Sequence, residues 1–140
     1  MVNNTPDKSH KNNTHSNHKI LVVEDDFISF YLIKEILVSY APFLIHKTDG
    51  QEAINYLEKE HSNVSLIILD IILPVMDGIN TIKIIRKKNW NIPVIAISAA
   101  VNKGNEEKCY EAGCNAFLTK PLDFDKFKVA VYSKLSVSSH

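Results

Sequence analysis

The stretch Leu66-Ile67-Ile68-Leu69-Asp70-Ile71-Ile72-Leu73-Pro74-Val75-Met76-Asp77-Gly78 decides the fold. An apolar run ends in a single acid, resumes as far as Leu73, and then meets Pro74 and Asp77-Gly78. Short apolar runs bounded by turn residues read as strands buried on both faces, as in a parallel sheet between helical layers. Asp70 then stands at the carboxyl end of a central strand. Ligands of open α/β sheets bind beyond that edge. A strand-ending Asp also commonly caps the next turn, so Asp70 alone does not choose between the two roles.

Upstream, Ile20 to Val23 reads as a short strand, followed by Glu24-Asp25-Asp26. Leu32, Ile33, Ile36 and Leu37 then recur at helical spacing, with Asp26 placed to cap that helix and Pro42 to stop it. Phe43 to Thr48 is a weaker second strand, and Asp49-Gly50 leads into a helix with Ala53, Ile54 and Leu57 on one face. The third strand is read as Val64 to Leu69.

Downstream, Gly78 to Lys88 is a helix with Ile79, Ile82 and Ile85 inward. Ile92 to Ile97 is the fourth strand, with Pro93 near its start, where a missing N–H is tolerated. Asn102 to Ala112 is a weak helix that carries Gly104 and many charges, and Gly113 ends it. Ala116 to Thr119 is a fifth strand, and Asp123 caps a last helix with Phe124, Phe127, Val131 and Leu135 on its apolar face. Alternating strands and helices predict βαβ crossovers and a parallel sheet covered on both faces. The fold class expected is α/β, a flavodoxin-like (βα)5 doubly wound sheet in strand order 2-1-3-4-5. Alternation does not itself fix that order.

The chain has 140 residues, 16 basic against 16 acidic, and 45% hydrophobic content. This bounds it to one ordinary domain with no basic footprint for nucleic acid or an anionic membrane. No apolar run nears the roughly 20 residues that span a bilayer, and no hydrophobic N-terminal core marks a signal peptide. Cys109 and Cys114 lack the two-residue spacing of redox or zinc pairs and are read as reduced thiols of a cytoplasmic protein. Residues 1–18 are polar and expected to form a disordered tail, 19–136 the folded domain, and 137–140 a short tail.

In the 2-1-3-4-5 order, Glu24-Asp25-Asp26, Asp70, Ser98 and Lys120-Pro121 all fall at strand ends along one edge of the sheet. Crowded carboxylates repel one another unless a cation sits among them. Mg²⁺ suits such a set, because it takes one or two carboxylates together with water and phosphate oxygens. Asp70 is then both ligand and candidate nucleophile, since a carboxylate can accept a phosphoryl group. Lys120 supplies a second cation, the Ser98 hydroxyl can donate to a phosphoryl oxygen, and small Ala99 leaves the approach open. Each residue has a plainer role: helix cap, backbone-bonded Ser, solvated Lys. Their joint placement argues for the site.

The ordered set VVEDD, LDIILPVMDG, AISAA and FLTKP resembles the receiver domain of two-component response regulators over about Lys19 to Leu135. The resemblance implies Asp70 as phosphoacceptor, Asp25 as direct metal ligand, Glu24 acting through a metal-bound water, and the Ile72 carbonyl completing the Mg²⁺ shell. It implies Ser98 and Phe117 as the switch pair, Lys120 as the functional lysine, and a cis Lys120-Pro121 bond. Asp26 is left between the site and a cap. The implied partners are a sensor histidine kinase or histidine phosphotransfer protein as donor and a downstream protein target, read through the fourth helix, fifth strand and last helix. The chain would be no enzyme beyond its own phosphorylation and slow dephosphorylation.

Ile72 and Ala100 stand two residues after the acceptor and the switch hydroxyl, and neither can hydrogen-bond an attacking water, so slow hydrolysis is expected. Phe27, Ile28, Phe30 and Tyr31 exceed what one inward helix face can bury, and a donor-docking surface and a core extension are both open for them. The initiator Met and polar tail favour a separate chain. The Ala-Gly-Cys-Asn segment resembles receivers of hybrid sensor kinases. A phosphorylation-independent receiver, a flavodoxin-like cofactor binder and an aspartyl phosphatase are the rivals. The acids after strand 1 oppose a bound cofactor phosphate, and Ile72 stands where a phosphatase carries its second acid.

Overall fold

The computed structural model describes residues 18–38, 43–99 and 103–138. Expectations placed on residues 1–17, Pro42, Ala100, Asn102 and residues 139–140 lie outside them. Strands β1 (Lys19–Val23), β2 (Phe43–Lys47), β3 (Leu66–Asp70), β4 (Val94–Ser98) and β5 (Ala116–Thr119) form one sheet in the order β2-β1-β3-β4-β5. Every pairing is parallel. Helices α1 (Phe27–Leu37), α2 (Gly50–Glu60), α3 (Gly78–Lys87), α4 (Lys103–Ala112) and α5 (Phe124–Ser138) make the crossovers. This is the flavodoxin-like fold expected.

Strand side chains alternate between faces. Leu21, Val23, Ile67, Leu69, Val94 and Ala96 pack in the layer that takes Ala53 and Leu57 of α2 and Ile82 and Ile85 of α3. Ile20, Val22, Ile68 and Ile97 point the other way, against Ile33 and Leu37 of α1 and Phe127, Val131 and Leu135 of α5. Aspartates cap four helices: Asp26, Asp49 and Asp77 accept from N–H groups in the first turns of α1, α2 and α3, and Asp123 accepts from Lys126 N–H at 3.0 Å. Gly113, at φ 121°, ends α4 in a conformation that favours glycine.

The structure departs from these expectations at several points. β3 begins at Leu66, because the Val64 N–H closes a turn onto His61 O (3.3 Å) and pairing with β1 starts at Ile20↔Leu66; the strand also includes Asp70. β4 begins at Val94, since Pro93 has no N–H and joins the ladder only through its carbonyl (2.9 Å from Ile67 N). Phe124 does not join the apolar face; at the start of α5 it is 52% exposed. His18, assigned to the tail, is buried with its ring 2.8 Å from Ser65 Oγ, and α5 runs to Ser138. No helix among the described residues is long and apolar enough to cross a membrane.

Candidate functional site

β1 and β3 lie side by side and end together, so Glu24 and Asp70 are delivered to the same edge. The Glu24 N–H donates to Lys47 O at 3.0 Å, which carries the chain past the end of β1 with its carboxyl turned inward. Both carboxylates are buried, while Asp25 faces solvent. Asp70 Oδ1 accepts from the Ile72 N–H at 2.9 Å. Gly78 brings the start of α3 against this strand end: its N–H donates to Ile71 O at 2.8 Å, and a Cβ there would stand 2.5 Å from Asp70 O.

Lys120 follows β5. Its N–H donates to Ser98 O at 2.9 Å, which ties it to the end of β4, and the Lys120-Pro121 bond is cis. Its ammonium crosses the edge to Asp70 Oδ2 (2.7 Å) and Glu24 Oε1 (2.9 Å). Burial pulls the Lys120 pKa down, but the hydrogen bonds and charges of Asp70 and Glu24 outweigh it and leave it above the ordinary value. Burial pushes Glu24 up; the Lys120 hydrogen bond opposes this, the Asp70 charge adds to it, and the net result is raised.

Glu24, Asp25 and Asp70 each bring a carboxylate oxygen within 4.8 Å of the others. The donor set is all oxygen, partly buried and only partly neutralised by Lys120, which is the chemistry a hard divalent cation takes. The residues therefore fit Mg²⁺. Asp26 is not in this group. It is the α1 N-cap, accepting from Ile28 N–H (3.3 Å) and Ser29 Oγ (2.9 Å), and the Ser29 bond does most to lower its pKa.

Ser98 is fully buried at the end of β4, beside the strand that carries Asp70. Phe117 is half-buried on β5 and packs against the α3–α4 layer. The Ile72 side chain is 60% exposed. Ala99 lines a cleft of about 360 Å³ with Lys120, Pro121 and residues of α1. Two residues near the site were missed from sequence. Ser29 lies 3.4 Å from Lys120 Nζ. The ring of His46 stacks on Phe30 with centroids 3.8 Å apart, and its Nε2 donates to Glu24 O at 2.8 Å. The spacing Asp-x-x-Ser across a helix start was the available signal for Ser29; His46, alternating along an edge strand, gave none. Phe30 is thus partly core, whereas Phe27, Ile28 and Tyr31 remain exposed.

A five-stranded parallel sheet that sets three acids and a lysine at its carboxyl edge offers the oxygen donors a hard divalent cation takes, with a fixed positive charge beside them. The family of the response regulator receiver domain matches residues 20–132, and the chain belongs to it. It is 36% identical over 110 residues to hybrid signal transduction histidine kinase M of Dictyostelium discoideum, covering 75% of this chain but 5% of that protein. It is 30% identical over 118 residues to the polar-differentiation response regulator DivK of Brucella ovis, covering 83% of this chain and 94% of DivK. The receiver domain of a Pseudomonas aeruginosa sensor histidine kinase, solved with magnesium in its active-site cleft, superposes with a TM-score of 0.77. Its identity is 28%, with 86% of this chain and 99% of that one covered. The chain is a receiver domain of two-component signalling.

Proposed function

We propose that this receiver takes a phosphoryl group from a partner's phosphohistidine onto Asp70. The observation that carries the reading is Lys120, whose ammonium spans Asp70 Oδ2 and Glu24 Oε1 with Asp25 alongside. In the transfer, the P–N bond of the donor breaks as an O–P bond forms to an Asp70 oxygen, and the imidazole leaves with the electron pair and takes up a proton. Glu24, Asp25, Asp70 and the Ile72 carbonyl would hold Mg²⁺. When bound, it supplies neutralisation of oxygen charge on the acids and the phosphoryl group. Lys120 holds the Asp70 carboxylate in place and offers positive charge to the phosphoryl oxygens. The buried Ser98 hydroxyl is the donor for a further phosphoryl oxygen, and Phe117 is its switch partner on the way to the α4-β5-α5 face.

The donor docks on exposed Phe27, Ile28 and Tyr31 of α1, beside the cleft that ends at Lys120 and Pro121. The Ile72 side chain carries no hydrogen-bonding group, so an attacking water gains no orienting side-chain partner there and hydrolysis is slow. The chain works in the cytoplasm, as an independent regulator or as the receiver of a hybrid kinase; relatives of both kinds support these two settings. Intact mass after incubation with acetyl phosphate tests the core of this. One added phosphoryl group that requires Mg²⁺ and is lost in Asp70→Asn is the expected result. A gain that survives Asp70→Asn or EDTA would overturn it.

A further inference from the structure

An ammonium has three N–H donors. Those of Lys120 meet Asp70 Oδ2 (2.7 Å), Glu24 Oε1 (2.9 Å) and the Ser29 hydroxyl (3.4 Å) in the first turn of α1. Ser29 has one proton to give, and it goes to Asp26 Oδ2 at 2.9 Å. Donation in that direction leaves the hydroxyl lone pairs for the ammonium. A line of hydrogen bonds therefore runs from the α1 N-cap through Ser29 to Lys120 and on to Asp70.

The two carboxylates are the partners that Lys120 has to share. Both belong to the acid set that fits a divalent cation, and Asp70 is the proposed acceptor. Ser29 is outside that set. Resting on the phosphoacceptor reading above, we infer that Ser29 is a positioning residue, which keeps the Lys120 ammonium aimed at Asp70 while its carboxylate contacts are exchanged. At 3.4 Å the contact is long for a hydrogen bond, so it steers the ammonium and has room to shorten when Glu24 is engaged elsewhere. Ser29 and Lys120 face a cleft otherwise lined by apolar side chains such as Ile28, Leu32 and Leu122, where such a contact is screened less than in water.

A purely local role would be different. The Ser29–Asp26 bond lies within the cap of α1, and a hydroxyl serving only that cap would affect helix stability alone. Three variants of the whole chain separate the two: Ser29→Ala, Ser29→Thr and Asp26→Asn. Phosphorylation by acetyl phosphate is followed by intact mass, Mg²⁺ affinity by calorimetry, and Tm by circular dichroism.

Ser29→Ala is expected to slow phosphorylation about fivefold, the loss of one weak hydrogen bond to a cation, with Mg²⁺ affinity held within about twofold. Ser29→Thr restores the rate. Asp26→Asn, which keeps a cap but cannot accept from the hydroxyl through its amide nitrogen, slows it in the same direction. A Ser29→Ala rate equal to that of the parent would overturn the inference. So would Ser29→Thr falling with Ser29→Ala, or a rate loss that only follows a fall in Tm. A parent chain that gains no phosphoryl group would instead overturn the phosphoacceptor reading and this inference with it. A phosphorylated parent matched by Ser29→Ala removes the role of Ser29 alone.

Discussion

β3 and β5 belong to one sheet, separated only by β4, yet they are held very differently. Every residue of β3 is buried, and α3 beside it sets Ile82 and Ile85 wholly inside under a capped first turn. No residue of β5 is fully buried, and among the described residues α4 buries only Cys109 and Ala112. The first pair carries Asp70 and is joined by the loop that holds Ile72; the second carries Phe117 and leads to Lys120. Well-packed elements open last and thinly packed ones first. The division places the proposed acceptor on the rigid half and the proposed readout on the half that least resists moving. Arg86 of α3 joins the halves at the far end, donating to Gly113 O (3.0 Å), Trp90 O (2.7 Å) and Asn115 Oδ1 (3.0 Å).

Truncation gives the largest test of that contrast. Ile67→Ala on β3 leaves a cavity in a closed core and is expected to cost about 4 kcal/mol in urea unfolding, whereas Leu118→Ala on β5 should cost about 2 kcal/mol or less. Equal losses would break the comparison. Arg86→Ala removes three hydrogen bonds at once, from a guanidinium whose own pKa is lowered by burial. A loss of about 2–3 kcal/mol is expected, with earlier hydrogen exchange in α4 and β5 than in β3. No preference for α4 and β5 would show that the clamp is not what joins them.

The thiols extend the contrast to pH. Burial pushes Cys109 up to about 11 and Cys114 up to about 12, from an ordinary 9.0. Above pH 9 the unfolded chain releases these protons while the folded chain retains them. The stability they contribute is therefore whole below pH 9 and declines as pH rises toward 11–12. Unfolding scans should show a loss of about 1 kcal/mol per thiol by pH 10, and the double variant Cys109→Ala, Cys114→Ala should flatten it. The smallest effect belongs to Val75, a β-branched residue at φ 67° in the loop between β3 and α3. Val75→Gly relieves that conformation and is expected to stabilise by about 0.5–1 kcal/mol after the greater unfolded-state freedom of glycine is counted. A net loss would mean that the exposed Val75 side chain contributes contacts that outweigh its backbone.

The same contrast explains what the sequence revealed. β3 and α3 were legible because burial on both faces of a strand, and on one face of a capped helix, leaves a strong hydrophobic period. The acids and Lys120 were legible because chemistry at strand ends is polar where the strands are not. Strand order was not, since alternation fixes crossovers and not which neighbour each strand chooses. The starts of β3 and β4 slipped because Val64 and Ile92 are apolar but lie ahead of the pairing register. The Asp26-x-x-Ser29 spacing signalled a helix cap alone, because the contact of Ser29 with Lys120 involves a residue from the far end of the chain.

Hydrogen exchange read by mass spectrometry, comparing the unmodified chain with the chain phosphorylated by acetyl phosphate and Mg²⁺, tests the account most directly. Altered protection is expected in Lys103–Ala112 and Ala116–Thr119, with β1 and the core of β3 unchanged. Change confined to β1 and β3, or no change anywhere in a chain shown to carry the phosphoryl group on Asp70, would contradict it.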